Sequence, residues 1–166
     1  MKNELVVKDN ALINASYNLE VTEQRLILLA IINARETGQG ITSDSKLEIH
    51  AHDYASRFDV SNSGAYKALK EAVNNLFDRQ FSFKEPDKQG NLGVVRSRWV
   101  SRIKYIDATA TLEVTFAPDV VPLITRLEQH FTSYQLKQVA QLTSKYAIRL
   151  YEMLIAWRAT GKVPEI

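Results

Sequence analysis

There is no cysteine in the 166 residues. That excludes disulfides, thiol nucleophiles and thiolate metal sites, and it fits a reducing cytoplasm. Long apolar runs are missing too. The longest extends from Leu26 to Ile32, far short of the roughly 20 residues a membrane-spanning helix needs. The first ten residues, MKNELVVKDN, carry no apolar core behind their charges and so do not read as a signal peptide. Neither sign of charge dominates, because 21 Lys and Arg stand against 19 Asp and Glu for a net charge of +2. A preference for nucleic acid must therefore come from where the cations stand rather than from their number. The chain also lacks an internal repeat, a low-complexity tract, a glycine-rich phosphate loop and a serine, histidine and acid set. What remains is a length of chain for one domain or two very small ones, able to bury roughly two thirds of its unfolded surface.

The stretch His52 to Phe83, HDYASRFDVSNSGAYKALKEAVNNLFDRQFSF, reads as helix, tight turn, longer helix, then strand. A short helix over Asp53 to Phe58 can bury Tyr54 and Phe58, and Asp59-Val60-Ser61-Asn62 supplies turn formers and capping oxygens. The next helix is predicted to start near Ser63. Its apolar residues Tyr66, Leu69, Val73, Leu76 and Phe77 recur at spacings of three and four, so they share one face. Lys67, Lys70 and Asn74 share another. Two cations and an amide on the exposed side suit a helix docked in a groove, with charge for phosphates and an amide for base edges. A merely solvated face has the same look.

Taken in order, Asn10 to Leu19 predicts a short amphipathic helix, and Thr22 caps a second whose residues are apolar on nearly every side, as a central helix requires. Its uncharged run Leu26 to Ile32 is also β-prone, an aggregation hazard were the domain to open. Gly38 to Ser45 reads as a loop, and Leu47 to His50 as a short strand. After the helix pair, Phe81 and Phe83 alternate with polar neighbours, Glu85-Pro86-Asp87 breaks the strand, and Lys88 to Asn91 turns the chain. One long strand is expected from Val94 to Ile106. On it Val95, Trp99, Ile103 and Tyr105 point one way, while Arg96, Arg98, Arg102 and Lys104 point the other. Asp107 to Ala110 turns back into Leu112, Val114 and Phe116, closing a hairpin. Four cations on one strand face can track a phosphate backbone. Pro118 opens a further helix running to about His130, and Thr143 or Ser144 caps a last one. Its stripe is predicted as Ala147, Leu150, Tyr151, Leu154 and Ile155, closed by Trp157, with Gly161 and Pro164 stopping it.

The pattern predicts an α+β winged helix: a helix-turn-helix plus an antiparallel β-hairpin wing, with additional N- and C-terminal helices. His50-Ala51-His52 admits another reading, since two histidines flanking an apolar residue on a strand can hold a divalent metal in nicking replication enzymes that use a tyrosine nucleophile. Against it, His52-Asp53-Tyr54 reads as the start of a helix, which would turn the two rings apart. His130, beside Phe131, reads as structural. No cofactor and no metal are expected.

Several stretches together resemble the N-terminal winged-helix domain of the replication initiator (Rep) proteins of iteron plasmids. They are NALINASYNLEVTEQRLILLAI from Asn10, AYKALKEAVNNL from Ala65, RWVSRIKYIDATATLEVTFAPDVVPLI from Arg98 and FTSYQLKQVAQLTSKYAIRLYEML from Phe131. The resemblance implies the first of two tandem winged-helix domains, residues 1–166, with the second absent from this chain. It implies homodimerisation linked to autorepression and copy control, and auxiliary backbone contacts to double-stranded plasmid DNA at iterons and the operator. It also implies host replication factors as partners, a bacterial cytoplasmic location, no membrane and no catalysis. Matched positions give Lys67 and Lys70 on the second helix, and Arg96, Arg98, Arg102 and Lys104 on the wing, as phosphate contacts. Edge placement gives Phe81, Phe83, Leu92 and Val94 as a dimer margin. A protein interaction module whose winged helix never touches DNA, or a metal-dependent nicking enzyme built on His50 and His52, are the alternatives.

Overall fold

A computed structural model describes residues 5–9, 16–36, 41–125 and 131–160. Its centre is helix α1 (Val21–Glu36), which buries every residue from Leu26 to Ile32 to 2% exposure or less. A helix apolar all round is stable in water only when other elements enclose it. Packed around it are helix α3 (Asn62–Asp78), strand β3 (Leu47–His50) and the N-terminal strand and C-terminal helix, while helix α2 (Ala51–Arg57) reaches it through Tyr54. The helix-turn-helix therefore forms as expected: Ser61 Oγ accepts from Ser63 N at 3.3 Å to cap α3, and Ala65, Leu69, Ala72, Val73 and Leu76 face inward. Asp59, at φ 52, takes the left-handed turn conformation that Asp tolerates better than most residues. Tyr66 is half-buried and Phe77 exposed, so the inner face is centred on Leu69, Val73 and Leu76 and leaves Phe77 at its rim.

Two three-stranded antiparallel sheets follow. Strands β6 (Val100–Ile106) and β7 (Thr111–Phe116) form the wing hairpin, with β7 central in the order β3-β7-β6. Strands β4 (Gln80–Pro86) and β5 (Leu92–Arg98) form a separate hairpin, which with β2 (Ser16–Tyr17) makes the order β2-β4-β5. The single long strand expected over Val94 to Ile106 is thus two strands in two sheets. Trp99 and Val100 are consecutive and both buried, at 1% and 0% exposure. A straight strand alternates its faces, so two neighbours can both face inward only where the chain turns a corner. The corner is held by Ala117 N donating to Trp99 O, and a register shift between Val100 and Arg102 follows it. Trp99 packs on Phe81 with ring centroids 4.6 Å apart. Glu85 and Pro86 do not break β4, since both stay paired, with Gly93 and Leu92, and the turn starts at Asp87. There Asp87 Oδ1 accepts from the backbone N–H of Gln89 and Asn91, while Gly90 takes φ +86.

The third layer joins the ends. Strand β1 (Leu5–Asp9) pairs antiparallel with β8 (Phe131–Gln135), and helix α5 (Lys145–Thr160) packs on them after the short α4 (Val121–Thr125). Ser144 Oγ caps α5, accepting from Tyr146 N and Ala147 N. The inner face of α5 is shifted from the expected stripe, of which Tyr151 packs on the core and Ala147 and Ile155 are half-buried. Ile148, Glu152 and Ala156 are buried, whereas Leu150, Leu154 and Trp157 are 55%, 49% and 44% exposed. The reason is a carboxylate at the centre of the inner face: Glu152 pairs with Lys8 Nζ at 2.6 Å and accepts from the Tyr134 hydroxyl, all three residues being buried. A buried charge held by a partner on another element does not register as apolar in a sequence pattern. Over Asn10 to Leu19 the predicted helix lies mostly outside the described residues, and its end, Ser16–Tyr17, is a strand paired with Ser82 and Phe81. Pro118 lies in the turn before α4 rather than inside it. His130, Gly161 and Pro164 lie outside the described residues.

The phase of α5 gives a direct expectation. Ile148→Ala should lower the unfolding free energy by about 2–4 kcal/mol in urea titrations, while Leu150→Ala should stay within about 0.5 kcal/mol. The reverse order would restore the stripe expected from spacing.

Candidate nucleic-acid interface

Helix α3 presents Lys67, Glu71, Asn74, Asn75 and Asp78 outward, an exposed strip of mixed charge beside the half-buried Lys70. Its middle is tied to the wing. The Tyr66 hydroxyl donates to Asp107 Oδ1 at 2.5 Å, Lys70 Nζ lies 3.2 Å from the same oxygen, and that ammonium sits 4.4 Å above the Tyr105 ring. Asp107 opens the one-turn 3-10 segment Asp107–Thr109 at the tip of the β6–β7 hairpin, which Ala110 closes in the left-handed region at φ 49. Burial, together with the hydrogen bond and charge of Asp107, pushes the Tyr66 hydroxyl from 10.0 up to about 12. The donors Tyr66 and Lys70 hold the Asp107 carboxyl below the ordinary carboxylate value. Asn74 turns its amide onto its own helix, donating to Lys70 O at 2.8 Å, the back-bonding common for short polar side chains inside helices. Lys67 is exposed.

The four wing cations do not share one face. Arg96 and Arg98 belong to the β4–β5 hairpin, beside the C-terminal end of α3, where Arg98 Nη1 donates to Phe77 O at 3.4 Å and Arg96 Nη2 donates to Gln80 Oε1 at 2.6 Å. Arg102 and Lys104 belong to β6. Ile103 and Tyr105 lie opposite Val114 and Leu112, so they share the face turned to the core and α3, and Arg102 and Lys104 take the other. On that face Arg102 Nη1 meets Glu113 Oε1 at 3.2 Å, and Lys104 stands directly opposite Glu113 in the register. The physical cause of the split is the corner at Trp99 and Val100, which sends the two halves of the segment into different sheets. Lys67, Lys70 and Asn74 stand on α3 and Arg98 reaches its last turn, while Arg96, two positions along the same strand, meets Gln80; Arg102 and Lys104 lie apart on β6.

The apolar margin divides as well. Phe81 is 1% exposed and packed between Phe83 and Trp99 on an inner strand, so its side chain is part of the core and not of any edge. Phe83 is half-buried on the same strand. Leu92 and Val94, at 66% and 71% exposure, lie on β5, the outer strand of its sheet. Of the histidines, His50 ends β3 with Nδ1 3.2 Å from Thr111 Oγ1 and Nε2 3.6 Å from Glu48 Oε2, and His52 is exposed on α2. Among the described residues no three His, Asp or Glu side chains converge as a metal site would need. Nor is any helix among them long and apolar enough to cross a membrane.

Asp107 and Tyr105 escaped the reading of the sequence. Asp107 looked like a turn former, Tyr105 and Tyr66 like core residues, and the bond between Tyr66 and Asp107 spans 41 positions that no local spacing connects. The tie has a pH window. The Tyr66 contribution is whole below pH 10.0 and is lost as the pH rises through about 12; that of Asp107 is whole above pH 3.8 and is lost as the pH falls through its lower folded value. An ultraviolet titration should therefore show a tyrosine ionising near pH 12 that disappears in Tyr66→Phe. A late phase unchanged in that variant would assign it to another tyrosine and remove the tie.

The family described as "Initiator Replication protein, WH1" matches residues 5–155. The WH1 domain of MSBI1.176, a replication protein isolated from a multiple sclerosis patient, is 59% identical over 77% of this chain and 97% of that one, with a TM-score of 0.62. The Pi initiator protein, solved in complex with iteron DNA, is 21% identical over 98% of this chain and 67% of that one, with a TM-score of 0.78, a likeness of fold. An uncharacterized 27.6 kDa protein of Escherichia coli is 27% identical over 94% of this chain and 68% of its own length. This chain thus spans about two thirds of the longer proteins it matches.

Proposed function

We propose, from the premise that this chain belongs to the initiator replication protein family as its WH1 domain, that it serves a plasmid replication initiator as a homodimerising module and an auxiliary clamp on duplex DNA. The clamp is α3 with the cations around it. Lys67 stands on the exposed face of α3 and Arg98 at its C-terminal end, ten positions from Phe77 back to Lys67 and so about 15 Å apart along the axis. A strip of that length can reach successive phosphates along a groove. The observation that carries the reading is that Lys67 and Lys70 stand on one helix whose last turn Arg98 reaches and whose fold partner is a wing.

The reading assigns contacts to the backbone rather than to bases, because the amide of Asn74, suited by chemistry to an adenine edge, is turned onto Lys70 O. It assigns binding roles and no reaction. Iteron and operator sites are the duplexes it would meet, host replication factors its further partners and the bacterial cytoplasm its place. Dimers would form through β5, which among the described strands pairs on one side only and carries the exposed Leu92 and Val94.

Fluorescence anisotropy against an iteron-like and a scrambled duplex over a salt series tests the clamp. Binding should be weak, nearly equal for the two duplexes and steeply dependent on salt. Lys67→Ala and Arg98→Ala should each make the salt slope shallower by roughly one unit, and Arg102→Ala should leave it nearly unchanged, because each phosphate contact contributes about 0.9 to the slope. Tight selective binding would make α3 a base reader. Dimerisation with no affinity for either duplex at low salt would make the chain a protein interaction module. For the dimer, Val94→Lys should shift sedimentation toward the monomer; an unchanged dimer would place the interface elsewhere.

A further inference from the structure

Lys70 lies in the middle of the proposed clamp, yet its ammonium is already occupied. Asp107 Oδ1 stands 3.2 Å away and the Tyr105 ring lies 4.4 Å below. The same oxygen takes the Tyr66 hydroxyl, so both α3 donors that face the wing are spent on one carboxylate. That carboxylate is not sequestered: the Asp107 side chain is 68% exposed and Lys70 35%. A phosphate approaching Lys70 from solvent would arrive beside Asp107, which is a carboxylate at neutral pH as any exposed Asp is, and whose donors favour the charged form further.

We infer that Asp107 is a specificity-determining residue of the interface, an internal anion that holds Lys70 and repels the nearest duplex phosphate. The inference rests on the clamp reading. Two effects act together at this position. Lys70 must exchange one anion for another, which yields little net attraction, and the phosphate gains a like-charged neighbour a few ångströms away, which is unfavourable even in water. Neither effect depends on base sequence, so both subtract from sequence-blind binding. A domain joined to a base-reading partner gains selectivity when its own indiscriminate affinity is held down, since selectivity is a difference between affinities. The wing tip thus does the opposite of a basic wing: it places a negative charge at the middle of the helix that faces the groove.

Asp107→Asn tests this without dismantling the wing, because the amide oxygen still accepts from Tyr66 while the charge is gone. With the 166-residue chain and a scrambled duplex, anisotropy should show binding tighter by roughly three- to tenfold at low salt and a salt slope steeper by about one unit. Asp107→Glu, which keeps the charge, should stay near the unsubstituted protein. Adding Lys70→Gln to Asp107→Asn should cancel the gain. Unaltered binding in Asp107→Asn, beside an unsubstituted chain that does bind, would overturn the masking and leave the clamp standing. Weaker binding in Asp107→Asn would make Asp107 a mere positioning residue of the wing. A gain that survives Lys70→Gln would overturn Lys70 as the masked cation. A duplex bound by neither protein would overturn the clamp and the masking together.

Discussion

The first turn of α1 is where the three layers of this domain are fastened to one another. Glu23, Gln24 and Arg25 are consecutive, polar and buried, and each reaches a different part of the chain. Glu23 takes a forked pair from Arg79, at the junction of α3 and β4, at 2.9 and 3.4 Å. Gln24 donates to Leu19 O and to Lys145 O at the start of α5. Arg25 donates to the Tyr54 hydroxyl of α2 and to Leu142 O, with its guanidinium 4.8 Å over the Phe58 ring. Buried polar groups are tolerable only when paired, so these bonds fix where the helix-turn-helix, the hairpin sheet and the C-terminal layer stand around the apolar shaft that follows. The position of α3, and hence of every cation along it, is set at that turn.

From this frame the character of the candidate interface follows. α3 is held from behind by Leu69, Val73 and Leu76 and from the side by the wing through Tyr66 and Lys70. Side chains that would otherwise be available to a duplex are therefore partly used to hold the helix and wing in register. Arg98 does the same at the other end, reaching a carbonyl of the last turn, where a cation also meets the negative pole of the helix. The chain's small net charge has a structural counterpart: the candidate cations are divided between the α3 side and β6, with Glu113 balancing the pair on β6 and Asp107 balancing Lys70.

Much of the fold could be read from the chain because its signals are local. The spacing of Leu69, Val73 and Leu76, the turn Asp59 to Ser61 and the alternation of Leu112, Val114 and Phe116 each lie within one element, and each was matched by the structure. What escaped were features decided by distant partners. The corner at Trp99 and Val100 depends on two sheets competing for one segment, and alternation alone cannot locate it. The inner face of α5 is centred on Glu152, which only Lys8 and Tyr134 make suitable for burial. The same limit applies at the site. The outward face of α3 could be read from spacing, but which of its cations are engaged could not, because their partners lie across turns and sheets.

The engaged pairs fall into two kinds, and the difference bears on function. Glu23 is 2% exposed and Glu152 is fully buried, so breaking either pair strands a charge away from water, at a cost of several kcal/mol. Lys70 with Asp107, and Arg102 with Glu113, are open to solvent at one partner or both, where an ion pair contributes at most about 1 kcal/mol and salt weakens it further. Pairs of the first kind cannot be exchanged without loosening the fold, whereas pairs of the second can give way to a phosphate with the frame intact. The strong pairs join layers, whereas of the weak ones only Lys70 with Asp107 lies on the face proposed for a duplex. A binding domain that must release as readily as it holds needs that division, since contacts made by exchanging one weak partner for another remain reversible and responsive to ionic strength.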